Sequence, residues 1–363
     1  MSGGSGVPTT MQALVLTGPG EFEMREVPTP VPADDEVLCR VRSVAICGTD
    51  PKIVKGAFPG VWPKTYPFII GHEWAGDVVA LGVGVASSPK AAERVGVGAR
   101  VAGEAHCGCG TCANCLSGHY TICRNYGDAS AGHRHYGFTS QGAYAKYVVA
   151  SAKSLHRLPD ELSFDEGAML DTAGVALQGV RRGRVGVGDT VVVIGPGPVG
   201  MLTQQYSTAA GAEKVLMVGR GTRLRQAADM GAVPVDYESV DPVQRVLELT
   251  GGRGADVVIE CAGTRTACTQ AVGMTAKGGR LVMNGIPTEP VEIPWAKIVL
   301  DEIDMLGVRA NPNTSVPALA LIANGAVEVR SMITHIFPLE EFAGALSTFV
   351  ERRDGALKVV LHP

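Results

Sequence analysis

What this chain lacks narrows its identity first. No apolar run reaches the length needed to span a bilayer. The stretch Met1 to Thr10 is polar and Gly/Ser-rich, without the charged-then-apolar order of a secretion signal, so a reducing, cytoplasmic location is expected. The formal net charge is only −4, which implies no general attraction to nucleic acid or to an anionic membrane. Internal repeats are absent, as is low-complexity sequence beyond the N-terminal stretch. The 363 residues, 45% hydrophobic and including 47 glycines, suffice for two domains with sizeable cores and fit a Gly-rich α/β protein rather than a disordered one.

Cysteine is unevenly placed. Of nine cysteines, Cys109, Cys112, Cys115 and Cys123 fall at C-x2-C-x2-C-x7-C. Four soft thiolates in one short loop can close a tetrahedron around Zn²⁺, and four thiol ligands leave no position open for water or substrate. The cluster therefore reads as a structural zinc site, and nothing in the sequence favours disulfides instead. Cys107 lies beside it. Cys39, Cys261 and Cys268 read as small core residues, whereas Cys47 has a chemical context of its own.

Two regimes of patterning follow one another. Between about Met11 and Ser151, short β-type runs (Ala13–Leu16, Val37–Val44, Ala75–Leu81, Ala143–Val149) alternate with Gly/Pro turns, the pattern of a partly open β-barrel or another all-β body. From about Asp189, strand and helix alternate. Val191–Ile194 precedes a helical stretch from Pro198 to Ala210, then come Val215–Val218, a helix over Arg223–Met230, and strands at Asp256–Glu260 and Arg280–Asn284. Repeated βαβ units imply a parallel, doubly wound sheet. Beyond about Asn311 the mixed pattern returns, consistent with a C-terminal segment that rejoins the first domain.

The run Val191-Val-Val-Ile-Gly195-Pro-Gly197-Pro198-Val199-Gly200 carries a buried strand into G-x-G-x-x-G and a helix. Gly195 permits the tight turn, Gly197 lets a pyrophosphate approach the backbone, and Gly200 allows close helix–strand packing. NAD sites normally place Asp or Glu about twenty residues on, where it binds the ribose 2′-OH. Here that place falls on Gly219, followed by Arg220, Arg223 and Arg225. Glycine makes room for a 2′-phosphate and an arginine can pair with it, so NADP is favoured over NAD; a solvated helix face is the alternative use of these arginines.

Two further pieces lie upstream of the cysteine cluster: Cys47-Gly48-Thr49-Asp50, and Gly71-His72-Glu73-x-x-Gly76 continuing through Gly82 to Val85. Cys47 and His72 are good zinc ligands, with Asp50 or a backbone carbonyl able to orient the imidazole. Together with the thiol cluster they make a case for a second zinc.

Taken in order, these motifs resemble the zinc-dependent medium-chain dehydrogenase/reductase superfamily, in its alcohol and polyol dehydrogenase branch, over essentially the whole chain. The resemblance implies an α/β protein: a GroES-like partly open β-barrel catalytic domain over residues 1–160 with a structural-zinc lobe at about 104–125, a Rossmann doubly wound parallel-sheet domain over 161–310, and a segment 311–363 returning to the first. It implies two zincs per subunit. Cys47 and His72 become catalytic zinc ligands, Glu73 a further ligand or exchanging carboxylate, and Asp171 the third protein ligand, with a helix N-cap as its other reading. Thr49 matches the hydroxyl that takes the alcohol proton. A relay histidine found in many relatives is missing, since Pro51-Lys52 stands there.

The expected reaction is reversible hydride transfer between a secondary alcohol or polyol and NADP or NAD. A 3-hydroxy amino acid dehydrogenase of the threonine type is the alternative, and a non-catalytic cofactor-binding protein is disfavoured because Cys47, Thr49, His72 and Glu73 are all present. Phe58, Trp62, Tyr66 and Phe138 lie in segments that can line a pocket near the metal, while His133 and His135 read as exposed loop residues. The resemblance implies a homodimer or homotetramer, with Asp304–Val308 able to serve as the pairing edge.

Overall fold

The computed structural model describes residues 6–363, so residues 1–5 of the N-terminal stretch and of the first expected domain lie outside it. The chain forms two compact units. One comprises residues up to Thr172 together with Ser315–Ala323 and Val329–Pro363; the other comprises Ala173–Thr314 and Asn324–Glu328. The changeover falls about a dozen residues beyond the expected position near residue 160. The short helix Phe164–Ala168 belongs with the first unit because its small residues fit against that unit's strands: a Cβ on Gly167 would stand 2.9 Å from the Ala75 side chain, and Ala168 packs with Ala45 and Val360.

In the first unit, seven strands form a mixed sheet. Its spine is the antiparallel pair Glu36–Ala45 and Glu73–Leu81, flanked by Arg100–Gly103 and Leu155–Arg157 on one side and by Lys358–His362 and Ile333–Pro338 on the other. Ser315–Ala323 and Val329–Pro363 belong to this unit, with Val360 and Leu361 paired opposite Ala45 and Val44. A hairpin, Thr10–Gly18 with Glu21–Pro28, lies beside this sheet. The core between them is built on Trp74, Tyr144, Leu14, Leu16, Ile46 and Ile70, all almost fully buried; burying side chains of this size is the main stabilising term.

The second unit holds a six-stranded parallel sheet in the order Val233–Asp236, Lys214–Gly219, Thr190–Ile194, Ala255–Glu260, Thr275–Met283, Asp304–Gly307. In sequence order this is 3-2-1-4-5-6, the doubly wound arrangement whose switch point lies between its first and fourth strands. Central strands such as Thr190–Ile194 are buried throughout, as expected for a parallel sheet covered on both faces. The expected edge is present: Asp304–Gly307 pairs with Arg280–Met283 and ends the sheet. Among the described residues no helix is long and apolar enough to cross a membrane.

Candidate metal centres and cofactor site

Strand pairing brings the first group of metal donors together. Ala45 stands opposite Glu73 in the antiparallel register. The chain leaves one strand at Cys47 just where it enters the other at His72. Cys47 Sγ, a ring nitrogen of His72 and a carboxylate oxygen of Glu73 all lie within 4.8 Å of one another. Gly71 is required by the turn that delivers His72: its φ is +94°, and a Cβ there would meet the Tyr144 ring at 2.5 Å. Gly76 and Gly82 serve packing, since a Cβ would meet the carbonyl oxygens of Arg40 and Ala33 at 2.0 and 1.8 Å.

The surroundings hold this group in place. Asp50 Oδ2 accepts from the backbone N–H of Cys47 at 2.8 Å and from the Tyr144 hydroxyl at 2.7 Å. Its other oxygen stands 3.6 Å from His72 Nδ1, with His72 and Asp50 both buried, the placement of a carboxylate that orients a ligating imidazole. Thr49 Oγ1 lies 3.7 Å from Cys47 Sγ. Glu73 pairs with Lys358, whose ammonium also donates to Thr172 Oγ1 at 3.0 Å.

The electrostatics are those of a pocket crowded with acidic groups. Burial pushes the Cys47 thiol up, and the Glu73 charge adds to it. Burial also raises Asp50. For His72, burial works against the charged form, yet its interactions with Cys47, Asp50 and Asp171 outweigh it and hold the imidazole up at about 10. Glu73 is held below the usual range because Lys358 overcomes the effect of burial. S, N and O donors of this kind suit zinc.

Asp171 stands differently from Glu73. It lies in the first turn of the helix Leu170–Arg182 rather than at its cap, and its Oδ1 accepts from the backbone N–H of Ala105 at 3.2 Å. It is not among the donor atoms grouped around Cys47. Burial pushes its carboxyl up to about 6, with the nearby His72 opposing that rise.

The four thiols meet in their lobe as their spacing predicts. All four Sγ atoms lie within 4.8 Å of one another, and Cys109–Cys115 and Cys112–Cys123 are each 3.8 Å apart. Thiolates bonded to a tetrahedral zinc at about 2.3 Å are about 3.8 Å apart by geometry, the spacing of these two pairs. Cys107 is buried outside the group.

His133 and His135 are buried, not exposed. His135 stacks between His106 and Phe138 at 3.8 Å from each. The expectation failed because the Gly-rich loop folds back on itself, so that His133 meets Gly127 and His135 meets Tyr126 and Phe138. Phe138 packs 4.6 Å from His72 and 5.0 Å from Trp62, and Trp62 packs 4.9 Å from Phe58. Three of the four anticipated pocket aromatics thus form one group beside the metal donors. Tyr66 is half-buried against the same core. Sequence reasoning missed Lys358 altogether; its only signal was a lone lysine opening the apolar strand Lys358-Val-Val-Leu-His362.

The cofactor motif closes on the second unit's switch point. Gly195 has φ +102°, and a Cβ on Gly200 would meet Gly195 O at 1.9 Å. A Cβ on Gly197, by contrast, would meet no protein atom within 4 Å. Nothing in the protein demands glycine at that position, and the backbone is left open at the start of the helix Pro198–Ala209. Gly219 ends its strand against Pro196, whose Cγ would stand 2.4 Å from an added Cβ. Arg220 pairs with Glu238 and lies over the Tyr237 ring at 5.9 Å; Arg223 follows in the helix Gly221–Asp229.

Comparison with known proteins agrees with this geometry. Residues 33–160 match the family described as "Alcohol dehydrogenase GroES-like domain", and residues 198–324 match "Zinc-binding dehydrogenase". A sorbitol dehydrogenase of Halalkalibacterium halodurans is 32% identical over 361 residues, covering 97% of this chain and 99% of its own. An L-threonine 3-dehydrogenase of Bacillus subtilis is 33% identical, with 94% of each chain covered. A solved putative zinc-binding dehydrogenase from Sinorhizobium meliloti, bound to NADP, aligns with a TM-score of 0.87 at 32% identity, covering 98% of this chain and 100% of its own. The chain belongs to the zinc-dependent medium-chain dehydrogenase/reductase superfamily. Within that superfamily it is sorbitol dehydrogenase-like, an oxidoreductase that uses zinc and a nicotinamide cofactor.

Proposed function

We propose that this protein oxidises a secondary hydroxyl of a polyol, reversibly, with NADP as the preferred hydride acceptor. The observation that carries the reading is the half-buried Cys47 beside the buried His72 and Glu73, on a chain similar along its whole length to sorbitol dehydrogenases. Zinc, when bound there, supplies Lewis acidity towards an alcohol oxygen; the cofactor supplies the hydride acceptor.

The chain's own residues do the rest. Cys47 and His72 hold the metal, and Asp50 fixes the His72 ring. Two carboxylates compete for the next position. Glu73 is engaged by Lys358, while Asp171, beside His72, accepts from the Ala105 N–H. By its place just before the cofactor domain in the superfamily's pattern, Asp171 is the proposed third ligand, and Glu73, grouped with Cys47 and His72, the adjacent carboxylate able to exchange with water. Thr49, beside Cys47, would relay the alcohol proton, accepting it while its own hydroxyl proton passes on towards solvent.

Cys109, Cys112, Cys115 and Cys123 hold a second, structural zinc. Gly195, Gly197, Pro198, Val199 and Gly200 receive the pyrophosphate. Gly219, packed against Pro196, puts no carboxylate at the strand end to repel a 2′-phosphate, which Arg220 and Arg223 bind; the NADP-bound relative supports that preference. Two copies are proposed to pair through the Asp304–Gly307 edge, in the cytoplasm.

A second reading has one specific support, the 33% identity to a threonine dehydrogenase. A panel of polyols and L-threonine, each with NADP and NAD, separates the two. Turnover of polyols with NADP supports the proposal, and turnover of L-threonine alone overturns it.

A further inference from the structure

The hydrogen bonds around Trp62 have a direction. An indole N–H only donates, so Trp62 Nε1 donates to the Tyr126 hydroxyl oxygen, at 2.8 Å. The same oxygen is 2.6 Å from His135 Nδ1. His135 is buried and stacked flat between His106 and Phe138, with interplanar angles of 19° and 7°. A ring held on both faces cannot turn, so the hydroxyl it binds is fixed, and so is the indole bound to that hydroxyl. Three segments, around residues 62, 126 and 135, thus converge to set the orientation of one side chain. Such a network is a costly way to hold a residue that only fills space.

Trp62 also stands in a telling place. It is half-buried, edge-on to Phe138, which in turn packs against His72. One aromatic ring separates it from the metal donors. With Phe58 at 4.9 Å it makes a rigid apolar face on that side. Rigid aromatic side chains provide a large contact area at little entropic cost, and their faces suit the C–H edges of an extended carbon chain.

We propose that Trp62 is a specificity-determining residue that packs against the substrate's carbon chain beyond the reacting carbon, and that Tyr126 and His135 are positioning residues that hold it there. This rests on the polyol reading of the same site. The ligand class it favours is a long polyol, a hexitol over a tetritol or a simple secondary butanol, because only a longer chain reaches the indole. Binding of remote substrate groups that is equal in ground and transition states appears in KM rather than kcat.

The test is steady-state kinetics of the zinc-loaded enzyme on a hexitol, a tetritol and a secondary butanol, for wild type, Tyr126→Phe, Trp62→Phe and Trp62→Ala. Tyr126→Phe removes the hydroxyl and keeps the ring. It is expected to raise KM for the hexitol by about three- to tenfold, the weight of one or two net hydrogen bonds, with kcat, zinc content and secondary-butanol kinetics unchanged. Trp62→Ala should abolish the discrimination by chain length, and Trp62→Phe should restore part of it. Equal effects on all three substrates, a fall in kcat at constant KM, or no effect of either Tyr126→Phe or Trp62→Phe would overturn the assignment. Wild type answers separately for the polyol reading: without any polyol turnover, that reading fails before the variants are compared.

Discussion

Lys358 and Glu73 form an ion pair with both side chains only 2% exposed, directly beside the Cys47–His72 pair. The last strand of the chain thereby reaches back to the start of the strand Glu73–Leu81 and sets the charge of the catalytic pocket. A buried pair of this kind is weak evidence for stability as a whole, but removing one partner leaves an uncompensated charge.

Lys358→Met is therefore expected to destabilise the protein by about 3–5 kcal/mol, measured as a shift in the denaturant midpoint of the zinc-loaded protein. The double variant Lys358→Met/Glu73→Gln should recover most of that loss. If the single variant is as stable as wild type, Glu73 does not depend on Lys358.

Metal analysis should find two zincs per subunit. Cys47→Ala and Asp171→Asn should each lose the catalytic ion and keep the structural one, while Glu73→Gln should keep both. Cys112→Ala should lose the structural ion and lower the unfolding temperature. An Asp171→Asn variant with full zinc and full activity would return Asp171 to a packing role.

Arg220→Ala should weaken NADPH binding by about ten- to a hundredfold, the worth of a charge-assisted hydrogen bond, and leave NADH almost unaffected. Fluorescence titration of the two reduced cofactors reads this directly. Glu238→Gln should tighten NADPH, because it frees the guanidinium that Glu238 now engages. Gly219→Asp is expected to disturb both cofactors, since its Cβ would run into Pro196. Unchanged NADPH affinity in Arg220→Ala would contradict the assigned phosphate site.

The helix Phe164–Ala168 opens with a capping box, Ser163 with Glu166. Burial acts to raise the Glu166 carboxyl, but hydrogen bonds from Ser163 and Arg330 outweigh it, so the pKa in the folded protein is below the ordinary value of 4.5. The sign follows from that depression. The stabilisation is complete above the unfolded pKa and is lost as pH falls through the folded one. Glu166→Gln should flatten the acid limb of the stability profile, and Ser163→Ala should cost about 1 kcal/mol at neutral pH. An unchanged acid limb in Glu166→Gln would show that the carboxylate carries no such linkage.

Much of the second unit was legible because its signals are local: a buried strand, three spaced glycines and a helix stand in one continuous run. The strand Val233–Asp236 escaped notice because it is four residues long and contains Pro234. It stands at the sheet edge, where a missing N–H is tolerated. In the first unit, Glu21–Pro28 was hidden by its charged, largely exposed sequence, and it pairs only with Thr10–Gly18. Cys47, His72 and the four-thiol lobe could be read from spacing. The roles of Lys358 and Tyr126 could not, because each depends on a partner tens to hundreds of residues away, and His135 acts only through Tyr126.

The most direct test is product analysis with a hexitol and NADP, comparing wild type with His72→Ala. The expected result is one ketose formed for each NADPH, abolished in the variant, with no comparable rate on L-threonine. No ketose from any polyol, or undiminished ketose formation by His72→Ala, would contradict a zinc-dependent polyol dehydrogenase centred on Cys47 and His72.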